Sequence, residues 1–95
     1  MMYLNDLDFS EEVIKDFKEN IPELALEKLE EEKDTVETNI RYLKDLGVKN
    51  YVDAFVKFYN MFLMNPKSFD EIFSKYDRDD LIAKLEKNVA IMEYL

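Results

Sequence analysis

One glycine and two prolines in 95 residues leave this chain few places to turn sharply. Tight turns draw on Gly, Pro, Asn and Asp, and an all-β domain of this length needs many of them. The shortage predicts few, long elements joined by short connections, an all-α fold. A chain this short buries roughly 60–65% of its unfolded surface, so its core is modest. Yet 47% of the residues are hydrophobic and 14% aromatic, enough to fill a core and leave apolar surface for a partner.

The helices can be placed from caps and apolar spacing. Residues 1–9 form a lead-in whose Tyr3, Leu4, Leu7 and Phe9 are available for packing. Ser10 is an N-cap, with Glu11 and Glu12 where the helix dipole favours acid. Val13, Ile14, Phe17 and Ile21 follow at helical spacing. Pro22 ends that helix and starts the next, whose stripe runs through Leu26, Leu29, Val36, Ile40 and Leu43 to Gly47, a left-handed C-cap position. Asp34 and Glu37 have the spacing of a capping box, which predicts a break near Asp34.

From Ala54 to Met64 only Lys57 and Asn60 are clearly polar. A helix apolar all round is enclosed by its neighbours or sits at an interface, so the segment at about 50–64 is predicted as the central helix. Asn65 and Pro66 end it. Ser68 with Glu71 predicts a capped short helix carrying Phe69, Ile72 and Phe73. Asp77 is the N-cap of a last helix whose stripe of Leu81, Ile82, Leu85, Val89, Met92 and Leu95 predicts a docked C-terminal segment. The expectation is one helical domain over 1–95, a compact bundle of five or six helices according to whether the chain breaks at Asp34. Val36–Leu46 also aligns with Leu85–Leu95 at an offset of 49, with Glu37/Glu86, Asn39/Asn88 and Leu46/Leu95 identical. Two ordinary amphipathic helices would give the same pattern.

Pro22 to Val48 resembles a repeat of the mitochondrial transcription termination factor (mTERF) family. The residues are Ile-Pro-Glu-Leu at 21–24, a spacer with Leu29, and Asn39-Ile-Arg-Tyr-Leu-Lys-Asp-Leu-Gly-Val48. A looser second unit spans Asn60 to Leu95. The resemblance implies two mTERF-like helical units, and family members stack such units to bind nucleic acid through a basic groove. For this chain that would require Arg41, Lys44, Lys49, Lys57, Lys84 and Lys87 to gather on one face.

The chemistry of catalysis is thinly supplied. There is no histidine and no cysteine, which removes the commonest general base, the commonest transition-metal ligand and the thiolate nucleophile. Without cysteine there is no disulfide frame either, which favours a reducing, cytoplasmic setting. Ser10 and Ser68 fit helix caps, and one glycine cannot build a phosphate loop. Asp77, Asp79 and Asp80 resemble the opening of a calcium loop, but Ile82 and Asn88 stand where that loop needs glycine and glutamate. No enzyme, metal or cofactor is expected, and no run is long enough to span a membrane.

Charge is the strongest functional signal. The net charge is −9, and residues 1–34 hold 12 acids against 4 lysines while residues 35–95 hold 10 acids against 9 basic residues. Direct binding to phosphate backbones is disfavoured by such a field. The leading expectation is a small, non-catalytic protein-interaction module, a regulator or inhibitor docking on a basic protein surface. Glu11, Glu12, Asp16, Glu19, Glu23, Glu27, Glu30 and Glu31 are the candidate docking acids. Nucleic-acid association through the mTERF-like pattern is the alternative, and a homodimer covering the 50–64 helix is a third reading.

Overall fold

Each apolar stripe feeds one core, and side-chain caps mark the start of three of the six α-helices. The computed structural model describes residues 2–95. Among them there are no strands, only six α-helices and three 3-10 segments. The helices are α1 (Glu11–Asn20), α2 (Glu23–Glu31), α3 (Lys33–Leu46), α4 (Tyr51–Phe58), α5 (Pro66–Ser74) and α6 (Arg78–Lys87). The 3-10 segments are Met2–Leu7, Tyr59–Leu63 and Val89–Tyr94. The all-α expectation holds, and the 3-10 segments add to the five or six helices expected. No helix among the described residues is long and apolar enough to cross a membrane.

Three caps match expectation. The Ser10 hydroxyl accepts from the Val13 amide at 3.2 Å, and Asp77 accepts from the Asp80 amide at 3.0 Å. Gly47 takes φ 109°, with the Val48 amide donating to Leu43 and its own amide to Lys44, which is a Schellman ending. The same pair of bonds closes the N-terminal 3-10 segment, where Phe9 donates to Leu4 and Asp8 to Asn5. There Asp8 holds the left-handed position at φ 68°, a region Asp tolerates better than most residues.

Other boundaries differ for physical reasons. Pro22 is the residue before α2 rather than its first. The break expected near Asp34 is present and falls at Glu32, two residues earlier, but no capping box forms. Glu32 departs from helical geometry at φ −102° and ψ 27°, yet Glu32 still donates to Lys28 and Val36 to Glu32. The junction is therefore a kink, and Glu37 pairs with Arg41 at 2.9 Å instead of capping. Helix α5 begins at Pro66, capped by Asn65, whose side chain accepts from the Lys67 amide. Proline suits that first position because its missing N–H would have had no partner there. Ser68 is left as an exposed residue of the first turn.

The central helix expected over 50–64 is interrupted. Helix α4 stops at Phe58, where φ is −131°, and the chain tightens into the 3-10 segment Tyr59–Leu63. Asn39 of α3 explains where the segment ends: it is buried, and its Nδ2 donates to the carbonyls of Phe62 at 2.9 Å and Met64 at 2.8 Å. Carbonyls at a helix end lack intrahelical partners, and this amide supplies one to each. The segment is not enclosed all round. Ala54, Phe55 and Phe62 are fully buried, Asp53, Lys57 and Asn60 face out, and Val56, Phe58 and Tyr59 are half-buried.

Aromatic rings connect the helices across the core. Phe55 lies 5.2 Å from Phe17 of α1 and 5.2 Å from Phe62, and Phe62 lies 5.2 Å from Phe69 of α5. Tilted and edge-on contacts of this kind add about 0.5–1.5 kcal/mol each beyond burial. The last helix is also interrupted, at Asn88, whose side chain accepts from the Ala90 amide. Met92 beyond it is buried, so the C-terminal segment is docked as expected, although Tyr94 is exposed. The offset of 49 does not extend to conformation: Asn39 is buried inside continuous α3, whereas Asn88 is exposed at a break.

Candidate functional site

The candidate acids lie on α1 and α2 because both helices bury one stripe and leave the opposite face to solvent. Phe17 is the buried residue of α1, with Val13, Ile14 and Ile21 half-buried beside it. Glu12, Asp16 and Glu19, three and four residues apart, then share the outer face of that helix. In α2, Leu29 is buried, and Glu23, Glu27, Glu30 and Glu31 share its outer face at the same spacing. All eight candidate acids, Glu11 included, are exposed.

Their partners are informative. Like charges at i,i+4 destabilise a helix by a few tenths of a kcal/mol per pair. Glu12–Asp16, Glu23–Glu27 and Glu27–Glu31 are such pairs. The salt bridges among the described residues are Lys28–Glu32, Arg41–Glu37, Lys44–Asp8 and Lys84–Asp80. None uses Glu11, Glu12, Asp16, Glu19, Glu23, Glu27 or Glu31. Glu30 interacts within the chain; its charge helps raise the pKa of Tyr3, behind the larger effect of burial. Glu11, Glu12 and Glu23 also sit in first turns, where the helix dipole offsets part of the repulsion.

The cations present a different picture. Three of the six that a nucleic-acid face would need, Arg41, Lys44 and Lys84, are held by carboxylates at 2.9, 2.8 and 3.0 Å. Lys44 ties α3 to Asp8, and this hydrogen bond draws the Asp8 carboxyl below its ordinary range and raises the Lys44 ammonium.

Beside the α1 acids lies a groove that sequence reasoning missed. It runs between α1 and α4 with a volume of about 360 Å3. Val13 and Ile21 line it from α1, Val56 and Tyr59 from the α4 side, and Phe17 closes the floor. Phe17 is fixed there by Phe55 and by an edge-on contact with Tyr59 at 5.6 Å. Asp16 and Asn20 stand on one lip and Asp53 on the other. The α1 stripe is legible in the sequence, but its half-exposure on the α4 side depends on how the two helices meet. Of the expected acids, the groove brings in Asp16 alone.

A second hollow, of about 340 Å3, lies on the other flank of α1 among Asn5, Glu11, Ile14, Lys15, Lys18 and Glu19. Its rim carries both signs of charge. Among the described residues no group of three or more carboxylates is placed to hold a metal ion. The serines are occupied or exposed: Ser10 caps α1, and Ser74 donates to the Glu71 carbonyl at 3.4 Å.

Comparison with protein-family models, curated proteins and solved structures gives no match. The functional reading therefore rests on the chain's own surface.

Proposed function

We propose that this chain is a small, non-catalytic protein-interaction module that docks through the acidic faces of α1 and α2 on a basic protein surface, as a regulator or inhibitor of its partner. The observation that carries the reading is that like charges stand at i,i+4 on both helices while the salt bridges among the described residues use none of Glu12, Asp16, Glu23, Glu27 and Glu31. Such a face costs folding stability and gains a favourable field towards a cationic partner. The exposed position of all eight acids adds support. The pairing of Arg41, Lys44 and Lys84 with carboxylates favours this reading over direct nucleic-acid association.

The test is affinity capture from native extract, repeated after nuclease treatment, with the wild type beside a Glu23→Gln/Glu27→Gln/Glu31→Gln variant. The reading expects a discrete protein that survives nuclease, elutes as salt rises, and is captured less well by the variant. Nuclease-sensitive recovery, or equal capture by the variant, contradicts it.

A further inference from the structure

The groove between α1 and α4 has a shape and a charge that together select an occupant. Its walls are the apolar side chains of Val13, Ile21, Val56 and Tyr59, and its two lips carry Asp16 and Asp53. Val13 and Ile21 stand eight positions apart, about 12 Å at the helical rise. That length matches two turns of a bound helix, which presents apolar side chains at i, i+3 or i+4, and i+7 along one face. The lip charges are both negative, and neither Asp16 nor Asp53 takes part in a salt bridge among the described residues. Glu12, four residues before Asp16 on the same face of α1, is exposed and carries the same sign.

We propose that the α1–α4 groove is the seat of a basic amphipathic helix on the partner protein, whose aliphatic side chains enter between Val13, Ile21, Val56 and Tyr59 while its flanking Lys or Arg residues meet Asp16 and Asp53. This inference rests on the docking function proposed above and narrows it to one surface and one kind of ligand. A purely cationic partner would have no use for the apolar walls. An uncharged apolar helix would leave both carboxylates facing it unpaired, at a cost.

The test uses two synthetic probes, an amphipathic helix of leucine and lysine and an oligolysine of equal charge, titrated into isotope-labelled protein at low salt. The expected result is tighter binding of the amphipathic probe, with amide shifts concentrated at Val13, Ile21, Val56 and Tyr59. Asp16→Asn/Asp53→Asn, two isosteric changes outside the core, should weaken that probe about fivefold, as expected for two exposed ion pairs. Glu71→Gln/Glu86→Gln, which removes two exposed acids of α5 and α6 outside the docking faces, should bind it like the wild type. Equal affinity for both probes, or shifts spread over α2, overturns the groove and leaves docking through the acids standing. Shifts at the same four residues on raising the concentration of protein alone would assign the groove to a second copy and overturn the proposal. If neither probe binds at low salt, the docking function itself fails.

Discussion

Asn39 holds the end of the central segment, and replacing it should be among the costlier single changes in the chain. It is 1% exposed, and its Nδ2 donates to the carbonyls of Phe62 and Met64. In Asn39→Leu the Phe62 carbonyl stays dry and unpaired, at about 1–3 kcal/mol. The Met64 bond is nearer the surface, and its loss costs about 1 kcal/mol. Against this, Asn39 Oδ1 is a buried acceptor with no hydrogen-bond partner among the described residues, so leucine also removes one unsatisfied atom. The net expectation is about 2 kcal/mol of destabilisation, or about 8–16 °C in Tm for a domain of this size. Asn39→Asp should be worse, about 4 kcal/mol near neutral pH, because a buried carboxylate would face two carbonyl oxygens. Burial raises the folded pKa of that carboxyl above its unfolded value of about 3.9. Its penalty is therefore full above the folded pKa and shrinks as pH falls towards the unfolded value, where the protonated acid can donate once. Urea unfolding followed by circular dichroism across pH measures both variants. The reasoning is refuted if Asn39→Leu lies within about 0.5 kcal/mol of the wild type, or if the aspartate variant shows no gain on acidification.

Other expectations follow from single contacts. Lys44→Met removes the pairing with Asp8. The lowered Asp8 pKa means that its contribution is present above the unfolded 3.8 and lost as pH falls through the folded value. The raised Lys44 pKa means that its contribution is lost as pH rises through a folded value above 10.5. The stability gap between wild type and Lys44→Met should then close at both extremes, and a gap that persists in acid would contradict the pairing. Gly47→Ala must hold a side chain at φ 109° with its Cβ 3.2 Å from Ile82 Cδ1, so chemical unfolding should show a loss of about 1–2 kcal/mol. Ser10→Ala should cost about 1 kcal/mol through the lost cap of α1; an unchanged melting curve would mean that Ser10 contributes nothing there.

The parts of this fold readable from sequence are those decided within a few residues. Ser10, Gly47 and Asp77 act locally, and each structures the chain where its residue type predicts. The stripes through Phe17, Leu29, Val36, Ile40 and Leu43 also lie inside as their spacing implies. The interruptions at Phe58 and Asn88 were not legible, since the helical patterns run through both, whereas the break expected near Asp34 appears two residues earlier, at Glu32. Asn39 looks like one more polar residue in an amphipathic helix until the carbonyls of Phe62 and Met64 are placed against it. The exposure of the eight acids follows from their helical phase, but the groove does not. Val13 and Ile21 read simply as core, and only the angle between α1 and α4 leaves their edge open beside Asp16 and Asp53.

The central claim is that the acidic faces of α1 and α2 are where a partner docks. Amide hydrogen exchange on the complex with the captured protein, set against the free chain, tests it most directly. The account predicts added protection along α1 and α2, reaching Val56 and Tyr59 across the groove. Protection confined to α5, α6 and the C-terminal segment around Tyr94 would contradict it.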